Sequence, residues 1–180
     1  ILSDFSEVGY DVFYQLVNAC NYGVPQHRER VILVGFRKDL GIKEFKLPEY
    51  TGPKVTIRDA LKDCPEPAPE DVCTAPYSSQ YMMRNRRRGW NEVSFTIVAM
   101  AKQIGIHPSS PEMIRIHKDL SVFGEGGVTR RFSYKECALL QTFPADIEFC
   151  GNLTSKYRQI GNAVPVKLGE WVAKAVKEVL

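Results

Sequence analysis

A mixed α/β fold is what this sequence predicts, and three observations carry the prediction. Two apolar, β-prone runs occupy residues 10–19 and 30–36, helix signals gather towards the C-terminal end, and a proline-rich stretch lies between the two regions. Ile1, Leu2, Phe5 and Val8 fall on one helical face, and Gly9 supplies a stop. No capping residue precedes that helix, so its first N–H groups lack partners and further chain is expected ahead of Ile1. Val12, Phe13, Tyr14, Leu16 and Val17 predict the first strand. The second, Arg30 to Phe36, is apolar almost throughout, which predicts burial on both faces. The two are expected to pair as an antiparallel hairpin.

Six of the eleven prolines, Pro48, Pro53, Pro65, Pro67, Pro69 and Pro76, then mark connecting structure and a boundary near residue 48. Thr56 with Asp59 predicts a capped short helix from Ile57 to Lys62. Ser133 with Glu136 predicts another over Tyr134 to Gln141, ended by Thr142-Phe143-Pro144. Pro165 opens the last helix, whose stripe of Leu168, Trp171, Val172, Ala175, Val176 and Val179 must pack on something. In isolation the stripe at Trp171 and Val172 is expected to be short of partner surface. Marginal stability or association would follow.

Composition excludes wholesale disorder and collagen-like repeats: 44% of the 180 residues are hydrophobic and 25% charged. No apolar run approaches the ~20 residues of a spanning helix. Five cysteines without a C-x-x-C pair, and three histidines without metal spacing, predict neither a disulfide framework nor a metal centre. A reduced, intracellular setting is the simple expectation. The overall charge is only +3, but residues 81–132 hold nine Lys and Arg against four Asp and Glu. A polyanion is therefore expected to meet the middle third.

Three clusters carry possible chemistry. Gln26-His27-Arg28-Glu29-Arg30 enters the second strand with Arg28 and Arg30 alternating onto one face. Two guanidiniums above an apolar strand need an acceptor, either a salt bridge with Glu29 or Asp39 or a ligand carbonyl or phosphate oxygen. Arg84, Arg86, Arg87 and Arg88, with Asn85, Thr96 and Lys102 near in sequence, supply the donors that bind phosphate or guanine edges, although such a run also suits a solvated surface. Gly161-Asn162-Ala163-Val164-Pro165 is a small-residue helix entry, open equally to a tight turn with Asn162 as cap and to the edge of a cofactor site. There is no G-x-G-x-x-G, no P-loop and no cysteine preceded by proline. Cys64 and Cys137 are expected to be inert.

Together these segments resemble the C-terminal half of a DNA (cytosine-5) methyltransferase. Tyr22 to Arg30 followed by Val31-Ile32-Leu33-Val34-Gly35 is similar to that family's eighth motif, Arg131 to Pro144 to the ninth, and Tyr157 to Pro165 to the tenth. The resemblance implies the distal part of a doubly wound, S-adenosylmethionine-dependent domain at 1–47 and 133–180, with a smaller, mainly β target-recognition domain at 48–132. It assigns Gln26, Arg28 and Arg30 to catalysis at a flipped cytosine, the second arginine holding the base O2. Asn162, Ala163 and Val164 would edge the S-adenosylmethionine site, and Gln141 with its helix would support the recognition domain. Double-stranded DNA is the implied partner and the bacterial cytoplasm the implied setting.

Met83-Arg84-Asn85-Arg86, Trp90-Asn91-Glu92, Phe95 to Ala99 and His107-Pro108 are similar to members acting on GGCC. Arg84 and Arg86 are then the candidate guanine contacts, with Asn85, Arg87, Arg88, Thr96 and Lys102 as further DNA-binding candidates, Lys102 standing where that subgroup tends to place arginine. The family's Pro-Cys nucleophile, glycine motif and Glu-Asn-Val motif are not in this sequence. The chain alone is expected neither to methylate DNA nor to bind the cofactor well, and to need a missing N-terminal half or partner subunit. The alternatives are a non-catalytic DNA-binding subunit and a tRNA-directed relative. The latter's Cys-Phe-Thr segment is not found, Ser94-Phe95-Thr96 being nearest.

Overall fold

A computed structural model describes residues 1–180. Helix α1 (Leu2–Glu7) leads through Gly9, whose φ of +91° only glycine adopts readily, into β1 (Tyr10–Asn18). β1 pairs antiparallel with β2 (Glu29–Arg37), from Tyr10 opposite Arg37 to Asn18 opposite Glu29. The hairpin forms as expected, but its burial is one-sided. Val17 and Phe36 turn inward, whereas Tyr14, Leu16, Val31 and Leu33 lie on the other face, each between 47% and 66% exposed. The continuous apolar run therefore has cover on one face only within this chain.

Helix α2 (Ile57–Leu61) carries the expected Thr56–Asp59 capping box, and α3 (Ser79–Met82) is a single turn capped by Ser78. The short hairpin of β3 (Met113–His117) and β4 (Leu120–Phe123) follows. Helix α4 (Tyr134–Leu140) has the reciprocal Ser133–Glu136 box, α5 (Leu153–Asn162) is capped by Asn152, and α6 (Val166–Val179) starts after Pro165. Helix α5 was not anticipated from the sequence, although Leu153, Tyr157 and Ile160 share a face. Asn162 closes α5 and does not cap α6.

Two expectations for the middle of the chain need correction. Residues 48–132 are irregular rather than mainly β, with β3 and β4 their only paired strands. Their backbone carbonyls are met instead by arginine side chains. Buried Arg131 donates to Cys73 O, Ala75 O and Lys102 O, and its guanidinium lies over the Tyr77 and Tyr81 rings. Nor does residue 132 divide the core. Ile57, Leu61, Ile97 and Ile104 share one cluster with Tyr134, Leu140, Tyr157 and Ile160. A second cluster joins the hairpin to α6 through Val17, Val24, Leu47, Leu168 and Ala175. Trp171 is partnered there as well, packing on Tyr22 and Tyr50 and donating Nε1–H to Pro48 O at 3.1 Å.

Candidate nucleic-acid interface and its supports

The loop ahead of β2 is sewn to the irregular middle segment by its backbone. His27 N–H donates to Ser94 O, Ser94 N–H donates to Pro25 O, and the Thr96 hydroxyl donates to His27 O at 2.7 Å. Residues 94–98 thus run alongside residues 25–28, and the odd and even side chains of the loop take opposite fates. Gln26 and Arg28 go inward. His27 stays exposed.

Arg28, 5% exposed, does not pair with Glu29 or Asp39. Its Nη1 donates to Ile97 O at 3.0 Å, and its Nη2 donates to Gly161 O at 3.1 Å and Ala163 O at 3.2 Å. Burial, and secondarily the charge on Arg30, lower the guanidinium to about 10, which leaves it cationic at neutral pH. Gln26 is fully enclosed: its Oε1 accepts from Ile97 N–H at 2.9 Å, and its Nε2 donates to Gln141 Oε1 at 3.1 Å. Gln26 has no donor or acceptor to spare, and Arg28 keeps only an enclosed Nε–H without a partner while its two Nη groups hold backbone carbonyls, so the expectation of a catalytic Gln26 and Arg28 is corrected to a supporting role. Arg30 differs. It is exposed at the start of β2, and its only hydrogen bond goes to the neighbouring Glu29 carbonyl.

Arg28 reaches the Gly161–Val164 turn, so the second-strand entry and that turn are one site. Asn162 and Val164 are exposed there, while the Ala163 carbonyl is taken by Arg28. An outward amide without a protein partner beside an outward valine fits one edge of a nucleoside-sized ligand. The turn offers no glycine cradle for the remainder.

A cleft of about 250 Å³ opens beside it, lined by His27, Arg84, Asn85, Arg86, Phe95, Thr96, Val98, Gln103 and Gly105. The predicted basic cluster divides around this cleft. Arg84 is exposed with a free guanidinium, and Asn85 accepts Arg87 N–H through its Oδ1. Arg86 lines the wall with its guanidinium over the Tyr81 ring, donating to Tyr81 O at 2.9 Å and Gln103 O at 3.4 Å. Arg87 and Arg88 do not line the cleft. Arg87 donates to Ser110 O and Pro108 O and lies 3.6 Å from Glu112, while Arg88 pairs with Glu92 over the Phe95 ring. Arg87 is thereby withdrawn from the DNA-binding candidates, its donors being spent on loop carbonyls. Lys102 is exposed on a 3-10 turn one residue from the cleft-lining Gln103.

Sequence reasoning missed the joint that holds this region to α4. Buried Glu136, besides closing its capping box, accepts both Arg130 Nη groups at 2.8 and 2.9 Å and lies 3.3 Å from His107 Nε2. His107 Nδ1 accepts Ser109 N–H at 3.2 Å, so the neutral ring carries its proton on Nε2, facing the carboxylate. Burial raises the Glu136 carboxyl, but the Arg130 hydrogen bonds lead the opposing causes and hold it below the usual glutamate value. Burial drives His107 down to about 4 against the pull of Glu136. The capping-box glutamate was visible in the sequence. Its two distant partners had no local signal.

A family model described as C-5 cytosine-specific DNA methylase matches residues 1–178. The chain is 42% identical over 197 residues to the type II methyltransferase M.MthTI of Methanothermobacter thermautotrophicus, covering 99% of this chain and 59% of that protein. It is 44% identical to the type II methyltransferase M.BsuRI of Bacillus subtilis, covering 98% of this chain and 44% of that protein. The chain therefore spans about half the length of these relatives. Among solved structures, the Entamoeba histolytica methyltransferase EhMeth aligns at TM-score 0.65 and 13% identity, over 98% of this chain and 56% of that one. The S. pombe Dnmt2 methyltransferase aligns at 0.56 and 15%, over 98% and 60%. At those identities the likeness is one of fold.

Proposed function

Because the chain belongs to the C-5 cytosine-specific DNA methylase family, we propose that it supplies the recognition cleft, one wall of the target-base pocket and one edge of the cofactor site of an enzyme that methylates cytosine in duplex DNA. One observation carries the reading. A single buried guanidinium, Arg28, ties the cleft segment at Ile97 to the turn at Gly161 and Ala163, with the unspent Arg30 beside it. That arrangement suits two ligands held side by side and serves no purpose in a simple duplex binder.

In this reading Arg30 donates to the O2 of an extruded cytosine and stabilises charge as the ring is attacked. Arg84 and Arg86 face the duplex, Arg84 with the free fork that guanine N7 and O6 accept, and Asn85, Thr96 and Lys102 add contacts around the cleft. Arg88, already paired with Glu92, serves the cleft through Phe95. Asn162 and Val164 would hold S-adenosylmethionine, which supplies the methyl group. The nucleophile and the rest of the cofactor site belong to protein not present in this sequence, and the open face of Tyr14, Leu16, Val31 and Leu33 is the surface that protein would cover.

The test is competition binding by fluorescence anisotropy, with a labelled duplex carrying GGCC challenged by an unrelated duplex and by tRNA. Duplex is expected to compete well, GGCC best, and tRNA poorly. Preference for tRNA would move the chain to the tRNA-directed branch, and no binding to any of the three would remove the DNA-facing role. Incubation with DNA and labelled S-adenosylmethionine, without another chain, is expected to transfer no label.

A further inference from the structure

We infer that Gln141 is a positioning residue which, with Gln26, couples the recognition segment at residues 96–98 to the cofactor-edge turn at 161–164, so that DNA on the first and cofactor on the second stabilise each other. The inference rests on the proposed function and deepens it. Ile97 is the junction. Its N–H is held by Gln26 and its carbonyl by Arg28, while Thr96 and Val98 on either side line the cleft. From Gln26 the chain of hydrogen bonds passes to Gln141 Oε1, and Gln141 Nε2 donates to Ile160 O at 2.8 Å. From Arg28 it passes to Gly161 O and Ala163 O. Two routes therefore leave one residue, buried behind the cleft wall between Thr96 and Val98, and end on neighbouring carbonyls of the turn.

Gln26 and Gln141 are both fully buried, and each serves a backbone group that an apolar side chain would leave without it, Ile97 N–H for the first and Ile160 O for the second. A buried amide pair with both ends spoken for cannot let one end shift alone, because the freed donor or acceptor has no water to turn to. The far side of the turn is gripped as well. Gln141 O accepts Val166 N–H at 3.1 Å, and Thr142 Oγ1 accepts Lys167 N–H at 2.9 Å. Thr142 makes that bond at φ +61°, a left-handed conformation that a β-branched residue adopts only when its surroundings enforce it. Finally, the Gly161 backbone lies directly against Val98 and Ala99, with no side chain between them. The cleft wall and the turn therefore move as one body, and binding energy at either is felt at the other.

The experiment is amide hydrogen exchange followed by NMR on the 180-residue chain, alone and with a duplex carrying GGCC, using the Tyr157 amide as the reference for global opening. Bound duplex is expected to slow exchange at Ala163 and Val166 roughly five-fold, and Gln141→Met is expected to abolish that slowing while still binding the duplex. Binding without slowing at those amides overturns the coupling and leaves the proposed function standing. Absence of binding overturns the DNA-facing role instead, and the ligand-free arm then decides the coupling. Gln141→Met must speed exchange at Ile97, which is 44 positions away in sequence; an unchanged Ile97 amide refutes it. Should that variant fail to fold, Thr96→Val, which removes the anchor to His27 O, must speed exchange in the ligand-free chain at both Ile97 and Ala163, and an effect confined to Ile97 counts against the coupling.

Discussion

Gly161→Ala puts the closest contact of the site under load. A Cβ on Gly161 would lie 2.5 Å from Ala99 Cα and nearer still to Val98 C and Ala99 N, all of them backbone atoms that cannot swing aside. Ordinary contact needs at least 3.4 Å, so the 98–99 segment and α5 must part by about 1 Å. Overpacking of this kind costs about 1–3 kcal/mol. The displacement also strains the two hydrogen bonds at Ile97, worth about 1 kcal/mol each. Alanine recovers up to ~1 kcal/mol of helix propensity. The net expectation is a loss of about 2–4 kcal/mol, or a fall in Tm on the order of 10 °C for a chain of this length. Urea denaturation measures the first and calorimetry the second. Gly169→Ala is the internal control, since nothing lies within 4 Å of its added Cβ and α6 should gain a few tenths of a kcal/mol. Loss of under ~0.5 kcal/mol at Gly161 would mean that the two segments give way freely, and the case for a single rigid body would fall with it.

Arg28→Met strips two buried carbonyls and a half-buried one of their guanidinium donor and should cost on the order of 3 kcal/mol in urea denaturation, whereas Arg30→Ala should stay within ~0.5 kcal/mol. Arg84→Ala should weaken duplex binding about ten-fold by anisotropy without altering stability, while Arg87→Ala should lose about 1–3 kcal/mol of stability. His107 is held near 4 when folded, below its ordinary 6.5, so the unfolded chain binds its proton first as pH falls. Stability should therefore drop by about 3 kcal/mol between pH 6.5 and 4, and His107→Gln should flatten that part of the profile. A variant whose pH dependence matched the parent would place the titration elsewhere.

Much of the fold was legible because its signals are local. Both capping boxes, the Gly9 stop, the hairpin and the Pro165 helix start each depend on residues within a few positions of one another. The site was legible as a set of segments but not as a division of labour. Gln26, Arg28 and Arg30 read alike at strand spacing, yet only the last stays exposed. What separates them is the depth at which Ile97, Gly161 and Gln141 happen to lie, and those partners are between 69 and 133 positions away from Arg28 or 115 from Gln26. Helix α5 was hidden for a related reason: Gly161 near its end lowers the local helix signal, and only the contact with Val98 and Ala99 explains why a glycine is there.

Much of the surplus of arginine in the middle third has a structural cause. An irregular segment leaves carbonyls that no ladder pairs, and each must find a donor once buried. Arginine suits that task because one planar fork spans several acceptors and its apolar faces stack on tyrosine. Arg86, Arg87 and Arg131 meet seven carbonyls between them and so take the place of regular structure around the cleft. A wall braced in this way needs little reorganisation when a ligand arrives, so less of the binding energy is lost to ordering it. It also means that charge alone is a poor guide to which arginine reads a base. In this chain the guanidinium left without a protein partner at the cleft is that of Arg84, the one proposed to meet a guanine.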